Sequence, residues 1–171
     1  MHAFDKDMVL KKYETIYSII DDYYPSRLDG YVRRKEMLRR GYLVAQLRAT
    51  NKARFVSEII NGDISVVKTT AVGHQSLSTA ELSEILRERK YSSEEAIQQA
   101  SIDGSVDEVA GKYTYLVDMS IRSLTTEMVQ KLQDSARDAA ALYKQLMDTS
   151  PEEMWLRDLD DLEAEVNKLL K

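Results

Sequence analysis

From Ser26 to Ile60, Leu28, Tyr31, Lys35, Leu38, Tyr42, Ala45, Ala49, Lys52, Val56 and Ile59 follow one another at alternating spacings of three and four. Eight of these ten residues are apolar. The spacing predicts a coiled-coil-like helical seam, along which the two Lys stems can lie. Pro25 suits the first turn of such a helix, and Asn61-Gly62 supplies a stop. The shorter apolar segment Ile16–Tyr24 is then expected to form a helix of its own. Gly30 and Gly41 lower the intrinsic helix propensity, so the long helix needs a packing partner.

A second segment supplies one. Met128, Leu132, Ser135, Ala139, Leu142 and Leu146 repeat at the same spacings, and Ala136, Ala139, Ala140 and Ala141 would allow close approach to Ala45 and Ala49. Two such segments separated by a long insert predict an antiparallel intramolecular pair. At 1.5 Å rise, roughly 34 residues make an arm of about 50 Å. The expected fold is mostly α, a long two-helix coiled-coil arm with a small helical tip and minor short β structure. The expected organisation is a leading segment and short helix over 1–25, an outgoing arm over 26–61, a globular tip over 62–123, and a returning arm with a terminal helix over 124–171.

Within the insert, Ile64-Ser65-Val66-Val67 reads as a short β-like run, followed by loop up to Ser78, with Gly73-His74 in a turn. Ser78-Thr79-Ala80-Glu81 carries a capping-box signature, and Ser92-Ser93-Glu94-Glu95 opens a further helix that ends near Asp103-Gly104. Ser150-Pro151-Glu152-Glu153 is another capping box, opening an amphipathic helix with Trp155, Leu159, Leu162, Val166 and Leu169.

Chemistry is sparse. The 171 residues contain no Cys and two His, so disulfides, thiol nucleophiles and a multi-His metal site within one chain are excluded or disfavoured. Neither GxGxxG nor GxxxxGK[ST] occurs, and Asp158, Asp160 and Asp161 do not converge on a helix. No catalytic and no metal-binding residue is assigned. No apolar run approaches the ~20 residues that span a bilayer, and no signal peptide is present.

The net charge of −5 conceals an uneven distribution. Residues 26–61 hold nine Lys and Arg against three Asp and Glu, whereas the other segments are acidic. This basic run is either a solvated face paired with acidic segments or a surface that meets a polyanion. Arg33, Arg34, Arg39, Arg40 and Arg48 are the candidate DNA-facing residues on the second reading. The apolar run with Tyr113, Tyr115, Leu116, Met119 and Ile121 is either the tip's internal core or a protein interface, where Tyr and Met are enriched.

Read in order, several short motifs resemble the C-terminal gate region of eukaryotic-type type IIA DNA topoisomerases. They are Phe4-Asp5 with Leu10-Lys11-Lys12-Tyr13; Tyr23-Tyr24-Pro25-Ser26-Arg27-Leu28 with Tyr31 and Arg34-Lys35-Glu36; and Asn51-Lys52-Ala53-Arg54-Phe55-Val56 with Ile59-Ile60-Asn61-Gly62. The most specific is Tyr113-Thr114-Tyr115-Leu116-Val117-Asp118-Met119 with Ser123-Leu124-Thr125; Ser150-Pro151 and Trp155 with Asp158-Leu159 complete the set. The resemblance implies an exit gate in which two tips meet across a twofold and release a transported duplex. It implies a homodimer acting with double-stranded DNA and without a membrane. It also implies a parent enzyme that needs ATP and Mg²⁺, while this segment carries no cofactor. The family's Arg-Tyr catalytic pair does not occur, so the segment itself is not expected to cut DNA. Residues 68–112 depart most from the family pattern, a divergence expected of a large DNA virus enzyme. The implied location is the nucleus for a cellular enzyme or a cytoplasmic factory for such a virus. The alternative from a different class is a stand-alone coiled-coil scaffold or adaptor.

Overall fold

A computed structural model of the chain describes residues 1–65, 67–70, 73–107, 109–119 and 126–170, with backbone only for 67–70, 73–76 and 126. The described elements, in chain order, are β1 (His2–Phe4), β2 (Leu10–Lys12), α1 (Ile16–Ile60), β3 (Val67–Thr70), β4 (Gly73–Ser76), α2 (Thr79–Glu88), α3 (Glu94–Asp103), α4 (Thr114–Val117), α5 (Thr126–Asp148) and α6 (Pro151–Leu169). The fold is mostly α, as the periodicity requires.

The chain divides into two compact units, Met1–Leu38 with Leu146–Lys171, and Arg39–Gln145. In the first unit, β1 and β2 form an antiparallel hairpin in which His2 faces Lys12 and Phe4 faces Leu10. Its turn lacks Gly and Pro. Instead the Asp5 carboxylate accepts hydrogen bonds from the Asp7 and Val9 amides, both at 2.9 Å, and Met8 takes a positive φ of 62°. Such an Asx turn is a weak signal in sequence.

Pro25 does not begin a helix. It lies inside α1, which runs unbroken from Ile16 to Ile60, so the expected separate helix over 16–24 is part of the same element. An internal Pro costs about 3 kcal/mol in helix propensity and one backbone hydrogen bond. Ring packing flanks it: Trp155 lies 5.3 Å from Tyr24 on one side and 5.8 Å from Tyr31 on the other.

The second unit has its core at the end of α1. Phe55, Ile64, Leu82, Leu86, Tyr91, Tyr113 and Leu116 form one buried cluster, with Ile59, Ile85, Tyr115, Val117 and Met119 packed against it. Asn51, Ala53, Phe55 and Val56 are all buried. A single seam cannot bury four residues at those spacings, so the last turns of α1 are covered on more than one face. Ala45, expected in a close helix–helix approach, is exposed.

Of the expected β-like run, Ile64 is a core residue, Val67 opens β3 as described, and Val66 lies outside the described residues. β3 pairs antiparallel with β4, Val67 opposite Ser76 and Thr70 opposite Gly73. His74 therefore sits in a strand opposite Thr69, where a loop was expected. The three Ser caps hold as read. Ser78 and Ser150 each form a reciprocal capping box, with Glu81 and Glu153 respectively. Ser93 caps α3, and Gly104 ends it with φ 75°.

Candidate functional site

The end of α1 is held by charge as well as by apolar packing. Glu58 accepts from Arg54 Nε at 2.7 Å and from Arg89 at 3.0 Å. Burial works to raise its pKa, yet Arg54, the Tyr91 hydroxyl and Arg89 together outweigh it and the carboxyl lies below its ordinary value. Arg54 also lies 4.4 Å over the Tyr91 ring and donates to the Arg89 carbonyl at 3.0 Å. The end of α1 and the loop after α2, which carries both Arg89 and Tyr91, are thereby tied together.

Tyr115 is a second junction. Its hydroxyl accepts from Asn51 Nδ2 at 2.9 Å and donates to the Ser92 carbonyl at 2.8 Å. Its amide donates to Glu94 at 3.0 Å. Burial pushes its phenol up to about 12. Ser93 accepts from the Ala96 amide and donates to the Val109 carbonyl at 2.5 Å.

Of the five residues expected at a tip interface, Tyr113 and Leu116 are 4% and 0% exposed and fill the unit's own core. Tyr115 and Met119 pack against that core, and Ile121 lies outside the described residues. The exposed apolar side chains of this unit include Ile102, Val106 and Val109, the first two more than half exposed, besides Ile60 and Leu142 on the helices α1 and α5. Val106 and Val109 line a surface cavity of about 330 Å³ with Tyr91, Ala96 and Tyr113. Nothing in the spacing of 102–109 flagged them, because they straddle a helix end and a loop.

The basic positions do not form one unengaged stripe. Arg34 binds Asp158 at 2.5 Å, and Arg33 pairs with Asp29 one turn away at 2.8 Å. Arg40 donates to the Ile102 carbonyl, and the Arg39 guanidinium lies against Gly104. Arg48 is exposed. Much of the basic segment is thus used in holding the chain's own elements.

In the first unit, α6 is locked to α1 by a polar and aromatic cluster that no local motif announces. Asp158 accepts from the Tyr31 hydroxyl at 2.7 Å and from Arg34. These bonds, Tyr31 first and then Arg34, hold its carboxyl below the ordinary Asp value. Trp155 stacks on Tyr31, and Lys35 donates to the Met147 carbonyl at 3.1 Å. The i, i+4 and aromatic spacings are visible in the sequence, but a pair 127 residues apart is not.

Among the described residues no group of three or more His, Asp or Glu is placed to hold a metal ion, and no helix is long and apolar enough to cross a membrane.

The arrangement is that of a helical module: a 45-residue helix whose last turns enter a small core, with long-range polar ties. The profile of the DNA gyrase/topoisomerase IV A-subunit family matches residues 1–160, and the chain belongs to that family. Within it the similarity runs to the type II enzymes of eukaryotes. DNA topoisomerase 2 of Arabidopsis thaliana is 30% identical over 193 residues, covering 99% of this chain and 12% of the relative. DNA topoisomerase 2-beta of Homo sapiens is 30% identical over 188 residues, covering 99% and 11%. The solved DNA-binding, cleavage and re-ligation domain of Plasmodium falciparum topoisomerase II superposes with a TM-score of 0.73 at 26% identity, covering 98% of this chain and 23% of that one. The chain therefore spans about an eighth of the length of the curated relatives it matches.

Proposed function

We propose that this chain is the exit-gate module of a type IIA DNA topoisomerase, an enzyme that passes one duplex through a double-strand break in another. The observation that carries the reading is the pairing of family membership over 1–160 with a long helix that ends in a small, tied core. In this reading the chain dimerises across a twofold and supplies no bond-breaking chemistry; ATP and Mg²⁺ would be bound by other parts of the parent enzyme. The exposed side chains of Ile102, Val106 and Val109 favour this end of the molecule as the dimer face, with Met119 beside the core and Ile121 further along the chain. A separable contact needs an apolar centre small enough to open, and a patch of a few aliphatic side chains fits that requirement better than a fused core.

The absence of Cys makes the test clean. Ile102→Cys, Val106→Cys and Val109→Cys are each expected to give a cross-linked dimer with a short bis-maleimide. Failure of all three would sink this placement of the gate.

A further inference from the structure

The last turn of α3 is held from another helix. Ala96, Ile97 and Ala100 are the buried residues of α3, and Ser101, Ile102 and Asp103 beyond them are all exposed. At about 100° per residue, Ile102 projects roughly opposite to Ala100, and its side chain is 58% exposed. Side-chain burial therefore stops at Ala100 and does not fix the turn that carries Ile102.

The final carbonyls of a helix lack an N–H partner within it and form the negative end of its dipole. In its last turn α3 has no basic residue to meet that charge. Two guanidinium groups of α1 stand there instead. Arg40 donates to the Ile102 carbonyl. Arg39 lies against Gly104, the left-handed residue that ends the helix, so closely that a Cβ there would overlap it. The Asp103 carboxylate closes the turn locally, accepting from Gln99 and, at 2.8 Å, from the Ser105 amide. Further along, Ser93 at the start of α3 donates to the Val109 carbonyl. Ile102 and Val109 are thus held by different donors, the first of them on α1.

We infer that Arg40 is a positioning residue for the dimer face, through which α1 sets where Ile102 stands. The inference rests on the exit-gate reading for the face itself. A hydrogen bond from a cation is roughly twice as strong as a neutral one. Without it an exposed helix end frays at low cost, and association must then order the turn again at a loss of affinity.

Two measurements on the 171-residue chain test this, with Arg40→Met, Arg40→Lys and Asn51→Ala as variants. In sedimentation equilibrium, Arg40→Met, which keeps an apolar stem and loses the donor, should raise the dimer dissociation constant about tenfold. Arg40→Lys keeps a cation and a donor and should recover most of that loss. Asn51→Ala cuts a different tie of the same unit, the bond to Tyr115, and should leave the constant within about twofold of the parent chain. Hydrogen exchange at the Gly104 amide, which donates to the Ala100 carbonyl at 3.0 Å, reads the turn directly in dilute, monomeric chains. It should quicken in Arg40→Met and not in Asn51→Ala.

An Arg40→Met dimer as tight as the parent's, or weakened no more than that of Asn51→Ala, would overturn the inference. So would an Arg40→Lys dimer no tighter than that of Arg40→Met, or Gly104 exchange that ignores Arg40. These results leave the exit-gate reading standing, because the parent chain still dimerises. A parent chain that stays monomeric overturns the exit-gate reading, and the positioning role falls with it.

Discussion

Asp158 receives the Tyr31 hydroxyl and the Arg34 guanidinium together, and both bonds favour its ionised form. A carboxyl whose pKa is depressed by folding contributes stability that is present above its unfolded value near 3.9 and is lost as pH falls through the folded value. The clamp between α1 and α6 is therefore expected to hold at neutral pH and to loosen below about pH 4. Trp155 is the only Trp in the chain and sits in that clamp, so its emission reports the change directly. Asp158→Asn should shift the emission toward that of exposed Trp already at about pH 7 and flatten the acid step; an unaltered acid step would contradict the assignment. Tyr13 is held the other way: its hydrogen bond to Asp22 pushes the phenol up to about 12. Asp22→Asn should return its titration, followed by the ring-carbon NMR shift, toward the ordinary value of about 10. In the core, Leu116→Ala should lower unfolding stability by about 3 kcal/mol in urea titration, the cost of removing a fully buried Leu side chain. A change below about 0.5 kcal/mol would place Leu116 at the surface instead.

Helix ends give the next scale. Ser93 is buried, caps α3 and donates to Val109, so Ser93→Ala removes a cap and leaves a carbonyl without its donor. Its expected cost is about 2 kcal/mol, against about 1 kcal/mol for the cap lost in Ser150→Ala, both read from chemical denaturation. These caps were legible because Ser followed by Glu within the first turn has one local meaning. The long helix was legible for the same reason, its period being a local property. Pro25 misled because a Pro is read as a boundary from its own ring and lost N–H, whereas the aromatic packing around it comes from Trp155, far along the chain. The β1–β2 hairpin was missed because its turn is built on an Asp side chain with no Gly or Asn-Gly marker. The basic run reads either as a face paired with acidic segments or as a surface for a polyanion; Arg34 with Asp158 is a pair of the first kind, but which residues pair, and that Arg40 reaches the Ile102 carbonyl, depends on the fold. On α1, Arg33→Ala and Arg48→Ala are each expected to reduce the salt dependence of duplex binding by about one ion equivalent. Arg34→Ala should instead act mainly on Trp155 emission, and an unchanged salt slope in the first two would remove DNA contact from this helix.

Across the described residues, polar ties join α1 to α6 and α1 to the small core, and exposed apolar side chains remain in both units, among them Ile102, Val106 and Val109 in the second and Leu159, Leu162 and Val166 in the first. The gate account assigns the Ile102–Val109 patch to a second copy. Sequence resemblance could point to the family because its motifs keep their order along the chain. It could not separate Tyr113 and Leu116, which are core, from Ile102 and Val106, which are surface, because all four are apolar and only the packing around Phe55 distinguishes them. The most direct test of the gate account is sedimentation equilibrium of the 171-residue chain over a wide concentration range. The account predicts a reversible dimer of twice the 19.6 kDa chain mass, weakened by Ile102→Asp with Val106→Asp. A single species at the monomer mass up to millimolar concentration would contradict it.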